Sequence, residues 1–486
     1  MRRIRLLSLL MLLCYYSCTQ KGKNNNPGFD NATEERIDRI ISNLFVEPHL
    51  NGVYQKINLY ERLKFYHTPG VSIAVINDGK VEWARGFGLK EYGGKDTVNI
   101  HTLFQAGSVS KPVFALLVMK LVQEGRIDLD TDVNTYLKTW KVPGNDGWQP
   151  VVTLRQLLSH TAGATVHGFP GYMEGEAVPT LQQVLNGEAP ANTSPVKITS
   201  MPGTVHRYSG GGFTAAQVTV IDHIGEPLPR IANRYLFEPL GLSLSTYEQP
   251  LPPGKIKNSA AGHTKKYLPV KGRFYTYPEM AAAGLWTTPT ELAAILIEIN
   301  MALKDSSAVL AKAPVSEMLT PQPVANYIGI GFYFEGSGDD LRIHHDGWDE
   351  GFVAQFKMYV KDGKGAVVML NSNEGYDLMG EIFRAIAHEY DWPGYLPPQE
   401  NIIRNSREHN ALTGTYYDEA GNHVRITGDN EMYLVYNNQN PMRLQMTKAG
   451  HFVSPVINMA VTFDEQAGKL TLRQGWNQKL FKRKNN

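Results

Sequence analysis

The chain of 486 residues is short of several features that would point to a class of protein. Its two cysteines, Cys14 and Cys18, both fall in the first eighteen residues, so the rest of the chain holds no internal disulfide. Charge of one sign is also scarce. Lys and Arg number 48 against 47 Asp and Glu, and no basic cluster lies away from the two ends, so nothing suggests a nucleic-acid surface. No His-Glu-x-x-His occurs, and His388-Glu389 lacks a second histidine, so neither a metal nor another cofactor is expected. A Gly-x-Ser-x-Gly elbow is missing too; Gly70-Val-Ser72-Ile-Ala74 and Gly241-Leu-Ser243-Leu-Ser245 are half matches. No internal repeat is evident.

What the chain does have is a long apolar run, Val113 to Val122, interrupted only by Lys120. A helix apolar on all sides belongs in the middle of a protein. Pro112 suits its first turn and Gly125 stops it. Ser108 and Lys111 then stand at the entrance of this helix, one turn apart on one face, where free N–H groups and the helix dipole favour negative charge. A serine that must lose a proton and an amine that could take it meet there. The bland alternative is an N-cap serine beside a solvated lysine. The pattern recurs at Ser194-Pro195-Val196-Lys197, where no helical stripe follows and a loop is predicted.

Residues 1–18 begin with Arg2, Arg3 and Arg5 and continue as a leucine-rich run too short for a membrane span, which reads as an export signal. Ser17-Cys18 resembles a bacterial lipoprotein signal and implies acylation of Cys18 after cleavage. The expectation is an exported lipoprotein on the periplasmic face of a membrane, the outer membrane, with residues 19–33 as a tether.

Beyond the tether, Thr33–Pro48 carries apolar residues at helical spacing, and Val71–Ile76 and Lys80–Ala84 flank an Asn77-Asp78-Gly79 hairpin turn. Thr153 and Gln156 make a capping box, as do Thr288 and Glu291. Tyr208 precedes three glycines, Gly210–Gly212, and a helix predicted from Phe213 to about His223. Strands are predicted at Tyr327–Glu335, Arg342–His345, Gly351–Val360 and Gly365–Asn371. His344 and His345 must point to opposite faces of their strand, so at most one faces a site. After Pro397-Pro398, six short strands between Leu412 and Arg473 predict a small all-β module.

Three elements stand in order: Ser108-x-x-Lys111, Tyr208-Ser-Gly210 and His345-Asp-Gly347. Together they resemble the serine β-lactamase and penicillin-binding-protein superfamily in its class C-like branch. Leu121–Asp130, Leu157–Gly163 and Ala283–Pro289 are similar to that branch as well. The resemblance covers about residues 34–392. It implies an α/β (α+β) fold, an antiparallel sheet flanked by helices with a helical lobe beside it. The domain is expected over 34–395, a linker over 396–411, and a lipocalin-like barrel over 412–486. It implies a serine hydrolase in which Ser108 forms an acyl-enzyme, Lys111 or Tyr208 moves the proton, and His345 supports Tyr208. Backbone N–H groups of Ser108 and Trp348 would form the oxyanion hole. Gly210, Asp346 and Gly347 fall at substrate-binding positions.

Two residues depart from that pattern. Gly210 replaces an asparagine, and Asp346 replaces a Thr or Ser whose hydroxyl helps bind a substrate carboxylate. With Asp349 and Glu350 close by, Asp346 should repel an anion. An ester or a D-amino peptide, neutral or amine-bearing, is therefore favoured over efficient β-lactam hydrolysis. The alternatives are a β-lactamase or DD-peptidase, and a ligand-binding protein of the same fold without turnover. The expected partners are a small-molecule or peptide substrate of cell-wall type and, through Cys18, a membrane. The other possible place for Asp346 is an ion pair with Arg342 or Arg207.

Overall fold

A computed structural model describes residues 28–47, 50–51, 57–403, 411–428, 431–464, 466–474 and 477–483. The leader, Cys18, most of the tether and residues 404–410 of the linker lie outside the described residues. Among the described residues, no helix is long and apolar enough to cross a membrane.

The chain builds β1 (Gly70–Asn77) and β2 (Lys80–Gly88) as a hairpin, with Asp78 and Gly79 at φ of 50° and 69°, the left-handed pair that a tight two-residue turn needs. Far later it adds β5 (Tyr333–Glu335), β6 (Arg342–Asp349), β7 (Phe352–Tyr359) and β8 (Lys364–Leu370). The antiparallel sheet runs β2-β1-β8-β7-β6-β5. A two-stranded ladder, β3 (Phe104–Gln105) with β4 (Trp286–Thr287), stands apart and leads directly into Ser108.

Period-two alternation divides the sheet between two cores. Val71, Ile73 and Val75 of β1, with Val368 and Leu370 of β8, pack against the helices Asn31–Ser42 and Tyr376–Glu389. Ala74, Ile76, Val367 and Met369 face the other way, into the helical lobe. At the centre of that lobe lies the helix Ser110–Gln123, buried from Ser110 through Met119 and crossed by Gly210–Ile224 through Phe114 and Phe213, whose rings meet edge to face at 6.3 Å.

Four details differ from expectation. The lobe's crossing helix starts at Gly210, not Phe213, because Ser209 caps it by accepting from Gly212 N–H at 2.8 Å. Thr288 caps its helix, but Glu291 turns away and accepts N–H groups of Ser243, Leu244 and Ser245, so no reciprocal box forms. The strand expected from Tyr327 begins only at Tyr333; Gly331, at φ 82°, lies against Ala115 of the central helix and breaks the extended run. The C-terminal module closes into the expected barrel, but with eight strands instead of six, from Gly414–Tyr417 to Asn477–Arg483. His451–Val453 and Asn477–Arg483 went unpredicted; in the latter only Phe481 turns inward, so no apolar alternation shows.

Candidate active site

Gly107, at φ 52°, opens a single tight helical turn, Gly107–Val109, ahead of the central helix. Two anchors fix this turn. Ala106 N–H donates to Leu285 O at 2.9 Å, and the Ser110 hydroxyl bridges Gly107 O at 2.6 Å and Leu285 N–H at 2.9 Å. Ser108 is therefore presented half-buried at the helix entrance, and Lys111 follows one turn on, 2 % exposed. Lys111 Nζ donates to Ser108 Oγ at 2.8 Å and to Ala282 O at 2.7 Å. Burial disfavours its charge and lowers its pKa from 10.5 to about 7, opposed by the field of Asp349.

Tyr208 reaches the same point from the capping turn of the neighbouring helix. Ser209 N–H bonds to His160 Nδ1 at 3.1 Å, and the Tyr208 and His160 rings lie 4.3 Å apart, which fixes the phenol. Lys111 Nζ sits 4.9 Å from the Tyr208 ring centre. Burial pushes the phenol pKa up, while hydrogen bonding with Ser108 pulls it back. His345, buried on β6, places its ring 6.2 Å from that of Tyr208. Its Nδ1 donates to Asp346 O at 2.7 Å, which leaves Nε2 as a bare acceptor with no partner among the described residues. Burial, then the Lys111 charge, holds it far below the usual histidine range.

β5 pairs with β6 only from Arg342 to His344, so beyond His344 that edge of β6 is open to the Ser108 turn. The two backbones lie flush there. A Cβ on Gly347 would fall 1.9 Å from Ala106 O, and one on Gly107 would fall 2.5 Å from Trp348 N. Trp348 thus presents its backbone beside Ser108 while its indole, 53 % exposed, stands at the mouth of the site. Ser108, Lys111, Tyr208, His345, Asp346, Gly347 and Trp348 line one cavity of about 1130 Å³.

Gly210 sits differently from expectation, and for Asp346 the alternative ion pair falls away. Gly210 does not reach the cavity wall: it is buried, donates to His167 O at 3.0 Å, and a Cβ there would lie 2.9 Å from the Phe169 ring. Gly210 and Gly211 admit the segment 165–169, not a ligand. Asp346 pairs with neither arginine. It accepts from Tyr376 OH at 2.6 Å and from the Gln355 amide, whereas Arg342 bonds Glu335 and Arg207 bonds Thr199. Its charge is solvated by neutral donors and stays in the cavity.

Sequence reading missed two buried acids. Asp349 does not join Asp346; it lies on the opposite, inward face of β6 and is 2 % exposed. Strand parity counted from His345 could have found it. Glu279, fully buried behind Ala282, carries no sequence signal.

Residues 58–390 match the family model described as Beta-lactamase. The chain is 26% identical over 361 residues to the unguisins hydrolase of Aspergillus violaceofuscus, and 25% over 321 residues to protein flp of Staphylococcus aureus strain N315. These alignments take 66% and 64% of this chain, and they span 61% of the length of each of those relatives. Among solved structures, the octameric penicillin-binding protein homologue from Pyrococcus abyssi superposes with a TM-score of 0.60 at 21% identity, over 87% of this chain and 98% of that one. The β-lactamase/D-alanine carboxypeptidase from Yersinia pestis, complexed with citrate, gives 0.52 at 18% identity, over 68% and 95%. At these identities the two structures speak for the fold.

Proposed function

The chain belongs to the Beta-lactamase family, and from that premise we propose that it is a serine hydrolase working through an acyl-enzyme on Ser108, on an ester or peptide bond. One observation carries this reading: a lysine stripped of water, 2.8 Å from the oxygen of a half-buried serine. With its pKa near 7, Lys111 is neutral often enough at neutral pH to accept a proton. Ser108 Oγ bonds to the substrate carbonyl carbon as its proton passes to Lys111 or Tyr208. The carbonyl electrons move onto oxygen, facing N–H groups of Ser108 and Trp348. The proton then goes to the leaving group, and water releases the acyl group by the reverse route. His345, its ring 6.2 Å from that of Tyr208, supports the phenol.

The cavity favours a neutral or amine-bearing substrate. Asp346 and Glu350 line it, no arginine does among the described residues, and Lys111 is committed to Ser108. A D-amino peptide or an ester fits these walls better than a β-lactam or a peptide ending in a free carboxylate. The relative named as an unguisins hydrolase agrees with a hydrolytic reaction. Anchored through an acylated Cys18, the domain would meet cell-wall fragments at the periplasmic face of the outer membrane. Fatty-acid labelling tests the anchor: label is expected on the wild type and none on Cys18→Ala.

The chemistry is tested by mass spectrometry after a fluorophosphonate probe. The adduct is expected on the Ser108 peptide and absent from Ser108→Ala; no adduct, or one on another residue, refutes the mechanism. A stable penicillin adduct on Ser108 would refute the preference against anionic substrates.

A further inference from the structure

The proposed chemistry needs the Tyr208 phenol held beside Ser108, and a residue outside the three motifs is placed to hold it. His160 follows the helix Leu154–Leu158 and its cap Ser159, at a position where glycine is the usual residue, and its φ is 58°. A buried histidine kept in that left-handed conformation calls for a use of its side chain.

Both of its acceptors are spent on the segment that carries Tyr208. The His160 carbonyl accepts from Arg207 N–H at 2.8 Å, and Nδ1 accepts from Ser209 N–H at 3.1 Å. Those two N–H groups belong to the residues on either side of Tyr208, so the tyrosine is gripped at both neighbours. The imidazole then lies 4.3 Å from the phenol ring, tilted by 35°, with Phe213 at 5.2 Å and Tyr333 at 6.4 Å around it. On the other side of Ser209, the glycines Gly210–Gly212 offer no side chain to brace the phenol. A backbone N–H can only donate, so Nδ1 must be bare, and a neutral ring carries its proton on Nε2. Burial, then the charge of Lys111, keeps the ring neutral.

We propose that His160 is the positioning residue for Tyr208: its carbonyl and Nδ1, in the Nε2–H tautomer, clamp the chain on both sides of the tyrosine while the imidazole backs the phenol beside Ser108 and Lys111. The effect on turnover rests on the serine-hydrolase reading; the clamp itself does not. As the O–H bond of Ser108 breaks and its proton passes to Lys111 or Tyr208, the phenol oxygen has to stay within reach of both partners, and a small displacement of it is costly.

The clamp is read directly by NMR of full-length protein carrying nitrogen-15 at its histidines, with the His160 signals identified by their loss in His160→Asn. Nδ1 should show the shift of an unprotonated, hydrogen-bonded ring nitrogen and Nε2 that of an N–H; a proton on Nδ1 at neutral pH overturns the proposal. The consequence is read from fluorophosphonate labelling of Ser108. His160→Gly, which suits the left-handed backbone but removes the acceptor, should slow labelling by about tenfold or more. His160→Asn, whose side-chain oxygen stands where Nδ1 does and whose backbone tolerates the same conformation, should recover most of that loss. In a Tyr208→Phe background His160→Gly should cost no more than about twofold, because the hydroxyl it positions is gone. His160→Gln, with its oxygen at the place of Nε2, serves if the glycine variant does not fold. His160→Asn no faster than His160→Gly, or an equal loss with and without the Tyr208 hydroxyl, overturns the proposal. A protein with the expected tautomer that takes no probe on Ser108 keeps the clamp and loses the hydrolase reading.

Discussion

Ser108 to Lys111 and Ser194 to Lys197 spell one pattern in two regions of the molecule. In the first, the chain turns into a helix, both side chains share a face, and the lysine is 2 % exposed with its nitrogen on the serine oxygen. In the second, Pro195 holds the chain extended: Val196 N–H reaches Leu185 O, Lys197 O accepts from Thr165 N–H while its own N–H donates to the Thr165 hydroxyl, and both Ser194 and Lys197 face solvent. An exposed ammonium keeps its water. The four letters therefore carry no chemistry by themselves; helical geometry brings the pair together, and burial loosens the amine's hold on its proton.

Substitutions that separate the two regions sharpen this contrast. The largest effect is expected for Lys111→Met, which should slow probe attachment to Ser108 by about 10²–10⁴-fold, the usual worth of a general base. The contrast breaks if Lys197→Met slows it comparably. Tyr208→Phe should cost less than Lys111→Met if the lysine takes the Ser108 proton, and more if the phenol does, read from the same labelling rates. Asp346→Thr should shift the ratio of rates on anionic and neutral esters by about tenfold toward the anionic one. An unchanged ratio removes Asp346 from substrate choice. Smallest of all, Ser194→Ala should leave both labelling and thermal stability within about 0.5 kcal/mol of wild type, as an exposed loop substitution does.

Legibility followed local pattern. The central helix, the first hairpin and the capping box at Thr153 could be read because each is encoded within a few neighbours, and the structure has Leu154–Leu158 with both halves of that box. The three ordered motifs brought Ser108, Lys111, Tyr208 and His345 into view, and the chain folds them around one cavity. Contacts made across the fold were not readable. Glu291 abandons its own helix for a turn that lies 46 to 48 residues earlier. Gly210 answers to Phe169 across the lobe, and Glu279 is buried by elements scattered over the chain. The last barrel strand, Asn477–Arg483, shows no apolar alternation because Phe481 is its one buried side chain.

The most direct measurement is the rate of Ser108 labelling by the fluorophosphonate across pH, since an electrically neutral probe reports the serine's reactivity alone. Lys111 must be neutral to take the proton, and burial brings its pKa from 10.5 to about 7. The rate should therefore be low in acid, climb through a midpoint near pH 7, and level off above it, with that limb abolished in Lys111→Met. A rate that stays flat from about pH 5 to pH 9, or rises only where an ordinary exposed lysine loses its proton, near pH 10, would contradict the account.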